Sequence, residues 1–284
     1  MPSNRTLALL AAVGLCLLPA CGSDDEKASS DSSTPATKVA IKVTESGKKS
    51  KIELPSEIKA GLTELTFENT GKAPHSAQLI RVDGDHTPDE AQKVIETEGG
   101  PIPEWLSGGG GIGTVNPGTT KTVTQVLEPG TYYVSDDEGS EEAPPKPLVK
   151  VTVTGEGGGE LPSAPASIVA SEYTFKADGL KVGKNRVTFD NAGKELHHVI
   201  AFPINKGVST AEVKKFFSSE EEPSGPPPVA FEKGDGTAVI DGGEKQVTDL
   251  ELIKGKYALV CFIQDRKGGP PHIAKGMFKE VTVE

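Results

Sequence analysis

The chain has 284 residues, 35% of them hydrophobic and 25% charged, with a formal net charge of −11. Its acids are scattered and no basic patch offsets them, which argues against a nucleic-acid partner and against charge-driven adhesion to anionic lipid. The length suits two domains behind a processed N-terminus.

The N-terminal stretch "MPSNRTLALLAAVGLCLLPACGSDD" has one Arg, an apolar run from Leu7 to Leu18, and small residues before Cys21. About a dozen apolar residues fall short of the roughly 20 that span a bilayer, so residues 1–20 read as an export signal. "LPAC" resembles a bacterial lipobox, which implies cleavage before Cys21, lipidation of its thiol, and a protein held by lipid on the extracytoplasmic face of the cell membrane. Residues 21–37 are acidic, Ser-rich and poor in large apolar side chains, the composition of a flexible tether.

Two copies of one module follow. "LTELTFENTGKAPHSAQLI" lies over "KNRVTFDNAGKELHHVIAF" at a constant offset that matches Phe67 with Phe189, Gly71 with Gly193 and His75 with His197. Farther on, "PGTYYV" matches "KGKYALV". The Gly- and Pro-rich stretch 155–166 reads as a linker between a first domain, 38–154, and a second, 167–284. Short β-rich runs such as "LTFEN", "KYALVCFI" and "FKEVTV", separated by Gly, Pro, Asn and Asp, predict an all-β sandwich in each copy. One short helix interrupts each: Thr87 and Ser209 stand as N-caps, with Glu90 and Glu212 three residues on, the spacing of a capping box. His86 beside that cap reads as solvated, Trp105 as a packed ring rather than a docking surface, and the glycine run 108–111 as a flexible loop, since it lacks the Lys and Ser or Thr of a phosphate loop.

The chemistry-bearing residues gather in the second copy, in the order His197, His198, Cys261, His272 and Met277. With Cys21 acylated and Cys16 removed, Cys261 is unpaired in an exported chain, where cysteines usually form disulfides. It is a buried apolar residue, a nucleophile with His272 as base, or a metal ligand. A thiolate, two imidazoles and a thioether suit copper, and zinc gains little from Met277. Adjacent strand side chains point to opposite faces, so one of His197 and His198 can reach such a site. The pairing of His75 with His197 favours His197, whereas Ile200, Phe202 and Ile204 make a stronger apolar stripe in phase with His198.

The second copy resembles the cupredoxins, the plastocyanin-like family. "FDNAGKELHHVIAF" is similar to the family's approach to its first His ligand, "GKYALVCF" to its strand leading to the Cys, and "HIAKGM" to its closing His and Met. The first copy shows that resemblance at fold level alone, having no Cys, His or Met in "YYVSDDEGSEEAPPKPLVKV". Two tandem Greek-key β-sandwiches follow, with one copper in the second held by His197, Cys261, His272 and Met277, and His198 as the alternative to His197. The role implied is single-electron transfer with a redox or copper-exchange partner of unspecified identity. The alternatives are copper sequestration or delivery, or a metal-free interaction lipoprotein. Five histidines are too few for the further coppers of a multicopper oxidase, so no catalytic residue and no enzyme activity is expected. Ten residues separate Cys261 from His272, more than the compact loops of the family, and Asp265 and Arg266 lie within that excess.

Overall fold

In β4 (Gly61–Glu68) and β12 (Gly183–Asn191) every second side chain is buried. Each strand therefore turns one apolar row inward, with Leu65 and Phe67 in one, Val187 and Phe189 in the other, all without exposed surface. Each such ring or branched chain contributes about 1.5–3 kcal/mol by leaving water. The structure, a computed structural model, describes residues 35–46, 49–136, 146–219 and 225–284. The export signal, Cys21 and residues 21–34 of the tether lie outside the described residues.

The first half runs β1 (Thr37–Ser46), β2 (Lys49–Glu53), β3 (Glu57–Lys59), β4, β5 (His75–Val82), α1 (Pro88–Glu96), β6 (Leu106–Val115), β7 (Thr120–Leu127), β8 (Gly130–Ser135) and β9 (Val149–Thr154). The second repeats the plan with β10 (Ala166–Ser171), β11 (Thr174–Asp178), β12, β13 (Ile200–Pro203), α2 (Thr210–Ser218), β14 (Asp235–Gly236), β15 (Lys245–Leu252), β16 (Gly255–Val260) and β17 (Phe278–Val283). The fold is all-β, with one nine-residue helix in each half. Both helices carry full capping boxes: Thr87 Oγ1 and Ser209 Oγ accept from the Glu90 and Glu212 amides, and the two carboxylates accept from the cap amides in return. No helix among the described residues is long and apolar enough to cross a membrane.

Each half has its own core. One gathers Ile41, Phe67, Leu79 and Val151, the other Ile168, Phe189, Leu259 and Val283. The sheets, however, do not divide so cleanly. β7 and β15 pair antiparallel, Val123 opposite Thr248 and Gln125 opposite Gln246, so one eight-stranded sheet, β11-β10-β12-β15-β7-β4-β1-β2, runs through both halves. Against it stand β3-β9-β8-β5-β6 in the first half and β14-β13-β16-β17 in the second.

The glycine run expected to be a flexible loop lies in strand β6, most of which is buried and whose Gly108 and Gly113 meet residues 236–240 of the second half. Its missing side chains are what allow the approach: a Cβ on Gly113 would lie 2.7 Å from the Gly236 carbonyl, and one on Gly108 3.1 Å from that of Val239. Gln78 of β5 completes the seam, its amide donating to the Val239 carbonyl at 3.0 Å and accepting from the Val239 amide at 2.6 Å. His86 keeps 34% of its side chain exposed, as its place beside the helix cap suggests, while one face of its ring is stacked on Trp105 with centroids 3.9 Å apart.

Candidate metal centre

β16 sets the first position. Tyr257 and Leu259 face the main core, so by period two Cys261, one residue past the strand, faces it as well and is fully buried. Ala258 and Val260 point the other way, into a smaller core that holds Phe202, Val229, Ile273 and Val213 of α2. Both faces of this sheet are thus covered.

A turn at Asn191 delivers the next residue. The Asn191 side chain accepts from the Gly193 amide at 3.1 Å and donates to the carbonyls of Glu195 at 2.8 Å and Ile240 at 3.1 Å. Glu172 receives the amides of Lys194 and Glu195. His197 then exchanges two backbone bonds with Ile240, at 3.1 and 2.9 Å. Asn69 and Glu45 make the same turn before His75 in the first half. The two carboxylates escaped sequence reading because they sit more than twenty residues upstream of the turns they secure.

His272 and Met277 come from one helical turn. The Met277 amide donates to the His272 carbonyl at 2.9 Å and Gly276 to that of Ile273 at 3.0 Å, the paired bonds of a Schellman ending, with Gly276 at φ +96°. A glycine directly before Met277 is therefore required, and the turn brings the Met277 backbone back to that of His272. Met277 is fully buried in the same apolar cluster as Cys261.

Three ligand atoms converge. Cys261 Sγ lies 3.7 Å from His197 Nδ1 and 3.6 Å from His272 Nδ1, and the two nitrogens are 3.1 Å apart. A point equidistant from the three lies about 2 Å from each, the length of a metal–nitrogen bond and slightly short of a metal–thiolate bond. The donor set therefore fits a metal ion, and the buried thioether nearby matches copper better than zinc. His198 points elsewhere: its Nε2 accepts from the Phe262 amide at 2.9 Å. The stripe in phase with it, Ile200, Phe202 and Ile204, packs in the smaller core beneath α2, while Val199 and Ala201 line the main one.

Burial governs the protons. It pushes the Cys261 thiol up to about 12 and the His197 imidazole down to about 4, the latter assisted by the neighbouring His272. His272 is lowered by burial and partly restored by Asp265. By itself the cluster holds a protonated thiol and two neutral imidazoles, and such a thiol is a poor nucleophile. Bound metal would displace the thiol proton. His272 Nε2 meets Asp265 Oδ1 at 3.0 Å, which fixes the proton on Nε2 and leaves Nδ1 free to ligate.

At the corresponding place in the first half, one residue past β8, stands Asp136. It meets His75 Nδ1 at 2.7 Å and Lys146 Nζ at 2.6 Å, and Glu45 meets His75 Nε2 at 3.0 Å. An ammonium and an imidazole occupy the neighbourhood of a carboxylate where the second half offers thiol and imidazoles.

The strand order common to both halves, and in the second half the Cys just past the penultimate strand with His and Met in the turn that follows, decide the architecture. The sandwiches are cupredoxin-like. No family model matches the chain, and no curated protein matches it. Solved structures similar to this cupredoxin-like chain include dithionite-reduced auracyanin from the photosynthetic bacterium Roseiflexus castenholzii, 19% identical over 42% of this chain and 94% of its own, with a TM-score of 0.28. Copper nitrite reductase from Nitrosomonas europaea is 15% identical over 88% of this chain and 94% of its own, TM-score 0.25, and a multicopper oxidase is 14% identical over 87% and 88%, TM-score 0.23. The strand order and the site, not these scores, carry the fold. The expectation that the chain is not an enzyme is corrected here: nitrite reductase and multicopper oxidase are enzymes, and they match across both halves. A tandem of cupredoxin-like sandwiches does not set a chain apart from enzymes, so that exclusion does not stand.

Proposed function

We propose that the second half binds one copper ion through His197, Cys261, His272 and Met277 and passes single electrons to and from a protein partner. The observation that carries this reading is the buried triangle of Cys261 Sγ and two imidazole Nδ1 atoms. Copper held there supplies a one-electron couple. The chain's own part is to keep the ligands still and dry. Cys261 is fixed by the strand before it, His197 by its two bonds to Ile240, and His272 by Asp265 on its far side. All four side chains are without exposed surface, which excludes water and limits rearrangement between oxidation states. Lipid on Cys21 places this activity at the extracytoplasmic face of the cell membrane, with the acidic stretch 21–37 as tether.

The test is a redox cycle on the copper-loaded soluble chain. Visible absorption from a copper–thiolate bond is expected to bleach with one reducing equivalent per copper and to return on reoxidation. Copper that binds but does not cycle would overturn electron transfer and favour sequestration or delivery.

A further inference from the structure

The ten residues between Cys261 and His272 contain no strand or helix, yet they are held from two sides. On one side the first half receives them. Arg266 Nη1 donates to the carbonyls of Pro103 at 3.2 Å and Leu106 at 3.1 Å, and its Nη2 pairs with Asp241. The backbone joins in, with the Ile102 amide donating to the Arg266 carbonyl at 2.8 Å and Gly269 to that of Gly99 at 2.9 Å. Gly268 has φ +83°, and a Cβ there would lie 2.6 Å from the Gly99 carbonyl, so the contact is tight enough to demand glycine.

On the other side the preceding residue holds the ligand. Asp265 meets His272 Nε2 at 3.0 Å, accepts from Tyr173 Oη at 3.0 Å, and pairs with Lys275. Tyr173 has φ +59°, the one positive φ outside glycine among the described residues, and its ring stands edge-on to His272 with centroids 5.4 Å apart. A bulky residue keeps that strained conformation only where its surroundings impose it. Asp265 and Arg266 are neighbours in sequence that point opposite ways, one onto the metal-ligand candidate and one onto the first half.

We infer that Arg266 is a positioning residue, and that the first half, whose own site lacks thiol and thioether, is the fixed wall against which the ligand loop of the second half is set. The inference rests on His272 being a copper ligand. A loop of this length with two glycines would otherwise sample many states, and a ligand on it would lose the geometry that a constrained imidazole provides. The guanidinium serves two carbonyls through Nη1 and the Asp241 carboxylate through Nη2 at once, a planar two-nitrogen arrangement that the single ammonium nitrogen of lysine cannot reproduce.

The experiment uses the full soluble chain as Arg266→Ala, Arg266→Lys and, as control, Arg186→Ala. Arg186 also bridges the halves, through the Thr122 carbonyl, Thr124 and Asp249, but at the shared sheet and not at the loop. In the metal-free protein, amide hydrogen exchange at Ile102 and Gly269 is expected to accelerate about tenfold or more in Arg266→Ala, as loss of about one hydrogen bond's protection implies, and less in Arg266→Lys. With Cu(II) added, the thiolate band of both is expected to shift or broaden and the reduction potential to move. Arg186→Ala should melt earlier with loop exchange and band unchanged. Wild-type exchange and band in Arg266→Ala would overturn the inference, as would equal loss of the band in Arg186→Ala. Should Arg266→Ala not fold, Arg266→Lys decides by the same two readouts. Absence of any thiolate band in the wild type would defeat the copper reading, and the metal-free exchange measurement would still decide whether the first half sets the loop.

Discussion

Replacing Asp136 by Ala removes the residue that stands in the first half where Cys261 stands in the second. Its carboxylate is nearly inaccessible, with 3% of the side chain exposed, and it receives the Ser76 amide at 2.9 Å besides His75 and Lys146. Truncation leaves an imidazole nitrogen and an ammonium without their buried counter-charge. Breaking a buried pair at one partner costs about 3–5 kcal/mol, and at this chain length each kcal/mol lowers Tm by about 2 °C. A fall of about 6–10 °C is expected in circular-dichroism melting of the metal-free protein, with a smaller fall for Asp136→Asn, which keeps one acceptor for the Ser76 amide. The copper–thiolate band of the loaded protein should stay as in wild type, because the first half contributes no ligand. A fall under about 2 °C would refute the claim that an ion network replaces the metal site, and loss of the band would refute the separation of the two sites.

Further outcomes follow from the site. His197→Ala should abolish the thiolate band, whereas His198→Ala should keep it and lower stability by about 1–3 kcal/mol, the cost of leaving the Phe262 amide without its acceptor; absorption and melting curves separate the two. Met277→Leu keeps the buried volume, so Tm should change by no more than about 3 °C, while the reduction potential and colour shift because the thioether is gone; an unchanged potential would remove Met277 from the ligand set. Ser209→Ala breaks the cap of α2 and should cost about 1 kcal/mol without touching the spectrum. Cys21→Ala should move the protein from the membrane fraction to the soluble one, and retention would argue against the lipid anchor.

The tandem sandwiches, the capped helices and the gathering of His, Cys, His and Met in the second half were legible because each rests on local pattern: period two, a three-residue cap spacing, a repeat. The parity of His197 and His198 was harder. Ile200, Phe202 and Ile204 form the stronger apolar stripe, but α2 covers the outer face of that sheet, so apolar strength marked the smaller core and not the metal side. The glycines of β6 looked flexible because the partner they approach, residues 236–240, lies far along the chain. For the same reason the excess between Cys261 and His272 could be counted, yet its receptor at residues 99–106 could not be named. Nothing local announces that β7 and β15 will pair, since each is the last strand of its own half's share of the sheet and its partner lies in the other copy.

The most direct measurement of the central claim is a Cu(II) titration of the soluble chain from residue 38 onward, followed by visible absorption beside Cys261→Ser. The geometry of Cys261 with His197 and His272 predicts an intense copper–thiolate band that saturates at one copper per chain and is absent from the Ser variant. A band that persists in Cys261→Ser, or a wild-type spectrum with no band at saturating copper, would contradict it.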